Sequence, residues 1–194
     1  MLLISPVGKK INFFGEFLKK ETKVGSVAPS SKYLVKKMIE PIDFSKAKTI
    51  IEFGPGTGVI TVEILKKIRA DARLIVFEIN DEFIEGLKEI RDTRMEVISE
   101  SAENIEKYIV ENEIGKIDYI ISSLPLAMMP KKEEYAILNS VKRALTPNGT
   151  LVQFQYSIAS LKKLKEIFDD VKIDFTPMNV PPAFVFTCRL SEEK

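Results

Sequence analysis

From about residue 48 onward, short apolar runs alternate with amphipathic stretches, which predicts strands and helices in turn. TIIEF (Thr49–Phe53), RLIVFEI (Arg73–Ile79), MEVIS (Met95–Ser99), IDYIISS (Ile117–Ser123) and TLVQFQYS (Thr150–Ser157) read as strands. Helical spacing predicts helices over Thr57–Arg69, Asp81–Ile90, Ala102–Glu113, Lys131–Ala144 and Ala159–Phe168. Asn80 or Asp81 can cap the second of these. The strands are almost continuously apolar, as expected for a parallel sheet covered on both faces. VKIDFT and AFVFTCRL are the last two strands. TPMNVPP between them leaves no room for a crossover helix, so they form an antiparallel hairpin. The pattern is that of an α/β chain with a mostly parallel, seven-stranded sheet.

Two helical pieces precede the sheet. Ile11–Lys20 places Phe13, Phe14, Phe17 and Leu18 on one face, with lysines at both ends. Tyr33–Glu40 follows the loop VGSVAPSS, where Ser30 or Ser31 can cap it. The length of 194 residues suits one domain, with residues 1–47 as a helical extension and 48–194 as the core. No apolar run is long enough to span a bilayer, and the start MLLISPVGKK has its charges on the wrong side for a secretory signal.

The net charge is only +1, but it is unevenly spread. Residues 1–48 hold ten lysines against four acids, a net of +6, and the remainder carries −5. Such asymmetry suggests an anionic partner for the N-terminal segment, with solvation of helix faces as the bland alternative. The single cysteine, Cys188, lies in an apolar run and reads as core, in a reduced cytoplasmic setting. The chain has no histidine, which excludes Ser-His triads and most zinc hydrolases. No metal-ligand cluster is visible.

The chemistry concentrates after the first strand. In EFGPGTG, Glu52 precedes the residues Gly54, Pro55, Gly56, Thr57 and Gly58. Alternate glycines permit a sharp turn and close approach of a ligand to the backbone. Glu78 and Ile79 end the second strand, and an acid there can accept both hydroxyls of an adenosine ribose. Such spacing also fits a nicotinamide dinucleotide. Three features favour S-adenosylmethionine instead. The glycines do not follow GxGxxG. Glu52 would welcome a cationic amino-acid group but not a pyrophosphate. The terminal hairpin is foreign to the dinucleotide fold. After the third strand, Ser101 and Ala102 could contact the adenine; a plain surface turn is the alternative.

ISSLPLAMMP (Ile121–Pro130) ends the fourth strand and would face the transferred methyl group, with Ser123 beside the cofactor. Enzymes that methylate base amino groups often carry an aromatic after the proline. Here Ser123, Leu124 and Pro125 are followed by Leu126. A flipped base would lose its stacking surface, so an aliphatic acceptor is expected and nucleic acid is disfavoured. Ordinary loop packing is the competing account of these apolar residues.

Taken together, VGSVAPSSKYLVKKM, IEFGPGTGVIT, FEIN, SSLPLAMMP and TLVQFQYS resemble the bacterial phospholipid N-methyltransferase family, which is related to the ribosomal RNA adenine dimethyltransferases. The resemblance runs from about Val24 to Ser157. It implies a Rossmann-like class I methyltransferase fold, S-adenosylmethionine as cofactor, and methylation of a phosphatidylethanolamine-type amine, with a ribosomal RNA adenine methyltransferase-like enzyme or a small-molecule amine methyltransferase as the alternatives. It further implies Ser30, Ser31, Leu124, Pro125 and Leu126 as acceptor-binding residues. Tyr156 and Tyr33 are candidates to assist the amine. Residues 9–23 would then lie on an anionic membrane surface, making the enzyme peripheral; a lid over the site is the other reading of that helix. Two departures stand out. Glu100-Ser101-Ala102 replaces the family's usual Gly-Asp-Ala, and Gln155 replaces a threonine.

Overall fold

The computed structural model describes residues 31–191 other than Lys116. The expected Ile11–Lys20 helix, Ser30 and the segment 9–23 expected to meet a membrane therefore lie outside the described residues. Helix α1 is Lys32–Ile39. Then follow β1 Thr49–Phe53, α2 Val59–Leu65, β2 Arg73–Phe77, α3 Asp81–Lys88 and β3 Met95–Ile98. After a short 3-10 turn at Ala102–Asn104 come α4 Ile105–Glu111 and β4 Ile117–Ser122. A second 3-10 turn, Leu126–Met128, precedes α5 Lys131–Ala144. The chain ends with β5 Leu145–Gln155, α6 Leu161–Ile167, β6 Asp170–Thr176 and β7 Ala183–Arg189.

The seven strands form one sheet in the order β3-β2-β1-β4-β5-β7-β6. Strands β1 to β5 are parallel, and β7 runs antiparallel to both β5 and β6. This is the expected α/β, Rossmann-like architecture with a terminal hairpin. Successive strand residues alternate between two cores. Ile51, Phe53, Ile75, Phe77 and Ile120 pack with the α4–α5–α6 layer. Ile50, Leu74, Val76 and Ile121 pack with α1, α2 and α3. Phe53, Phe77 and Tyr108 stack edge to face through the first of these cores, with centroids 5.6 and 5.3 Å apart. Cys188 is fully buried, and burial pushes its thiol up to about 12, so it is an inert core residue.

Boundaries differ from the sequence expectation where side chains or special backbone angles intervene. Helix α2 starts at Val59, not Thr57, because Gly58 caps it at φ 77°, outside helical space. Strand β2 stops at Phe77 because the Glu78 carboxylate takes the next two amides, as described below. The expected Ala102–Glu113 helix opens as a 3-10 turn capped by Ser101. Strand β5 begins five residues early, at Leu145, and bulges where the register jumps between Ile117 and Tyr119. Asn148 sits at φ 68° in that bulge.

Candidate active site

The strand register aligns Phe53 with Phe77 and Ser122, Phe77 with Ile98, and Ser122 with Gln153. The C-terminal ends of β1 to β5 thus share one edge. Chain order reverses between β1 and β4, and such a switch point is where open α/β sheets bind ligands.

Gly54, Gly56 and Gly58 all adopt positive φ, at 62°, 57° and 77°. At Gly54 a side chain would be doubly excluded: its Cβ would lie 3.2 Å from Leu124 Cδ2. That contact joins the glycine loop to the loop after β4. Pro55 and Gly58 close the turn, with the Gly58 amide donating to the Pro55 carbonyl at 3.0 Å. Thr57 is exposed at its apex.

Two carboxylates lie beneath this loop. Glu52 is fully buried, and Thr61 Oγ1 donates to its Oε2 at 2.7 Å. Its Oε1 has no hydrogen-bond partner. Burial, with a smaller push from Glu78, raises its pKa to about 8 although the Thr61 bond opposes the shift. Glu78 folds back on the chain. The amides of Ile79 and Asn80 donate to Oε1 at 2.8 and 2.9 Å, and Gly56 donates to Oε2 at 3.2 Å. Burial raises its pKa as well, against those three bonds. Asn80 caps α3 by accepting from Glu82 and Phe83. The Phe83 ring reaches within 4.0 Å of where a Gly56 Cβ would sit.

This cradle fits a cationic amino-acid group with an adenosyl ribose. Glu52 offers an unpartnered buried oxygen suited to an ammonium, and Glu78 Oε2 retains acceptor capacity for a hydroxyl. At the end of β3, Ala102 is buried and Ser101 Oγ accepts from the Glu103 amide at 3.3 Å. Ser101 therefore acts as a cap, and only its remaining hydrogen-bonding capacity is available to an adenine.

Leaving β4, the Ser123 amide donates to the Phe53 carbonyl at 3.0 Å, extending the ladder to β1. The Leu126 amide turns back to the Leu124 carbonyl, and Met128 to Pro125. This turn drives Leu126 into the core, where it is almost fully buried. Leu126 was expected on the acceptor wall; the exposed part of that wall is instead Met128, with Leu124 and Met129 partly buried. Two residues the sequence reading did not place in the site hold this loop. Gln153 and Gln155, both on β5, donate their Nε2 to the Leu124 carbonyl at 3.0 and 3.1 Å. Gln155 Oε1 also accepts from the Ala127 amide at 3.3 Å. Their i, i+2 spacing on one strand face was the available signal. Gln155→Ala should lower stability by about 1–2 kcal/mol and kcat about tenfold with cofactor affinity unchanged. Urea denaturation and steady-state kinetics check this.

Tyr156 stands exposed one residue past β5, its ring edge-on to Phe154 at 5.6 Å. Tyr33, also exposed, lies on α1 with Lys32 Nζ 5.5 Å from its ring centroid. The start of α1 is tied to the β6–β7 turn: the Ser31 amide donates to the buried Asn179 Oδ1 at 3.1 Å. Ser31 Oγ caps the helix by accepting from Leu34. Both tyrosines thus stand on elements of the same sheet edge as the carboxylates. Among the described residues there is no cluster of metal-ligating side chains.

A methyltransferase-domain family matches residues 44–181. The chain is 31% identical to the ornithine lipid N-methyltransferase of Singulisphaera acidiphila, over 91% of this chain and 94% of that protein. It is 32% identical over 97 residues to ribosomal RNA small subunit methyltransferase A of Mycoplasma capricolum, 47% of this chain and 34% of that one. The solved N-methyltransferase NodS of Bradyrhizobium japonicum, in complex with S-adenosyl-L-homocysteine, superposes with a TM-score of 0.63. At 11% identity over 83% of this chain and 89% of that chain, this likeness shows the fold alone.

Proposed function

The chain belongs to the methyltransferase-domain family and uses S-adenosylmethionine, and from that premise we propose that it methylates the amine of a membrane lipid. The observation that carries this reading is the likeness to an ornithine lipid N-methyltransferase along nearly the whole of both chains. The acceptor loop supports it: after Pro125 stands an aliphatic residue turned into the core, so the loop itself offers no ring for a base to stack on. An ornithine lipid and a phosphatidylethanolamine-type phospholipid share the chemistry required, an aliphatic amine on a lipid head group.

S-adenosylmethionine, when bound, supplies a methyl group already activated for attack. In this account Glu52 holds the cationic amino group of the cofactor through Oε1. Glu78 accepts from the ribose, while Gly54, Gly56 and the Ile79 backbone shape the cradle. Ser101 and Ala102 border the adenine. Leu124 and Pro125 limit the acceptor to an in-line approach, so that positioning supplies much of the rate. A lipid ammonium must lose its proton before it can attack. With no histidine in the chain, solvent takes that proton, and the hydroxyls of Tyr156 and Tyr33 orient the amine by hydrogen bonding. The tyrosine faces also attract the ammonium. If the ring dominates, Tyr156→Phe keeps activity within about threefold and Tyr156→Ala loses about tenfold or more, as expected for a cation–π contact. Initial rates on vesicles decide this.

An RNA acceptor is the second reading, favoured by the ribosomal RNA methyltransferase relatives. The two separate cleanly in a host expressing the full chain. Mass spectra of the lipid extract should show amine-bearing lipids heavier by one or more methylene units. Unchanged lipids alongside newly methylated RNA would overturn the lipid assignment.

A further inference from the structure

Among the described residues ten large apolar side chains stand exposed, and eight gather at the active-site end of the sheet. Tyr33 and Tyr156 are two of them. The others are Met128 after β4, Ile158 after β5, Ile173 and Phe175 on β6, and Met178 and Val180 in the β6–β7 turn. Topology brings them together. Phe175 pairs with Phe184, which pairs with Gln155, the residue that clamps the acceptor loop. Ile173 pairs with Phe186, at the level of Gln153 and Ser122. On this face Val171 and Phe184 pack against the core, whereas Ile173 and Phe175 stand exposed.

Edge strands of soluble proteins are ordinarily blunted by charge. Here Phe175 is 52% exposed, Met178 61% and Val180 75%. Apolar side chains exposed together on β6 and in the turn that follows it form a rim that marks an interaction surface. Cations stand at the same end of the sheet. Lys131 and Lys132 open α5, and Lys162, 4.0 Å from Glu166, is in the first turn of α6, positions that the helix dipole disfavours for positive charge. Acids nearby are already paired. Asp174 meets Lys37 at 3.3 Å, and Glu134 is buried in bonds to Ser160 and Lys163.

We propose that this rim, centred on Phe175, Met178 and Val180, is a membrane-docking surface. It enters the headgroup–acyl boundary of an anionic bilayer and holds the acceptor loop against the headgroup layer. The apolar turn supplies burial, and the surrounding lysines supply attraction to anionic lipid. Met128 belongs both to the rim and to the loop that faces the transferred methyl group, so docking and substrate entry use one surface. The inference rests on the lipid reading above. It differs from a contact through residues 9–23 in placing the membrane on the folded core.

The chain has no tryptophan, so single-tryptophan variants report position directly. Phe175→Trp and Met178→Trp are compared with Val110→Trp, on exposed α4, using phosphatidylglycerol vesicles with and without brominated acyl chains. Blue-shifted and quenched emission at 175 and 178, with no change at 110, is the expected result. No change at 175 and 178, or an equal change at 110, overturns the proposal. So does emission already blue-shifted without vesicles, which would mean that residues 1–30 or a second copy cover the rim. The double variant Met178→Glu, Val180→Glu supplies the kinetic test. Transfer to a vesicle-borne aminolipid should fall about tenfold or more, while transfer to a soluble short-chain aminolipid stays within about twofold. Equal loss on both substrates overturns the docking role. Tryptophan variants that insert at 175 and 178, with a wild-type chain that methylates no lipid, would contradict the acceptor assignment and leave the docking surface standing.

Discussion

Glu78→Ala raises the dissociation constant for S-adenosylhomocysteine about a hundredfold, because it removes a hydrogen bond to a charged group, worth about 1.5–3 kcal/mol, together with the carboxylate that orders the glycine loop. The substitution acts twice. It deletes the acceptor for a ribose hydroxyl, and it releases the Gly56, Ile79 and Asn80 amides that the carboxylate now holds. The glycine loop then loses its tie to the end of β2. Glu78→Gln retains one acceptor oxygen and should lose only about tenfold, consistent with one lost charge-assisted bond. Calorimetric titration gives both constants. Unchanged far-UV circular dichroism separates the effect from unfolding. A Glu78→Ala protein that binds the cofactor as tightly as wild type would remove Glu78 from the site.

Cofactor affinity should also depend on pH through Glu52. In the free protein its carboxyl is pushed up to about 8 by burial, so it is largely protonated near neutrality. Its contact with an ammonium requires the ionised form. Between about pH 5.5 and 7.5 the ligand's own amino group stays charged, and affinity should rise by close to tenfold per pH unit. Binding should release a proton, visible as a buffer-dependent heat. Glu52→Gln flattens that profile and weakens binding about a hundredfold at the upper end, the scale of a lost buried charge contact.

The stability of the free protein responds in the opposite direction. The folded pKa of Glu52, about 8, lies above its ordinary value of 4.5. Its contribution is therefore fully present below pH 4.5 and is lost as pH rises toward 8. Glu52→Gln should be more stable than wild type near pH 8 without cofactor, by on the order of a few kcal/mol. Urea denaturation at both pH values checks the sign. Equal pH dependence in wild type and variant would show that Glu52 titrates alike in the folded and unfolded chain.

Most of the sheet was legible in the chain because its strands are near-continuous apolar runs with distinct helices between them. The hairpin followed from the short TPMNVPP connection. The glycine loop was legible because alternate glycines serve a backbone that L side chains cannot adopt, and all three indeed have positive φ. What failed was set by contacts that periodicity does not encode. Strand β2 ends early because Glu78 bonds its own following amides. Leu126 looked like an acceptor-binding residue because it follows the proline after the fourth strand. Only the 3-10 turn with its bonds back to Leu124 and Pro125 shows it swinging into the core. Gln155 read as a departure from a family pattern, whereas its amide is what fixes the loop. The apolar rim was invisible for another reason. VKIDFT alternates like any half-buried strand, and its exposure follows only from its place at the sheet edge beside a short α6.

The central claim is that a lipid amine receives the methyl group. Its most direct test uses the full chain with methyl-labelled S-adenosylmethionine, anionic vesicles bearing an amine lipid in one tube and RNA in another. Label in the lipid extract, lost with Glu78→Ala, is the result this account predicts. Label confined to the RNA, or none in the lipid while the cofactor is bound, would contradict it.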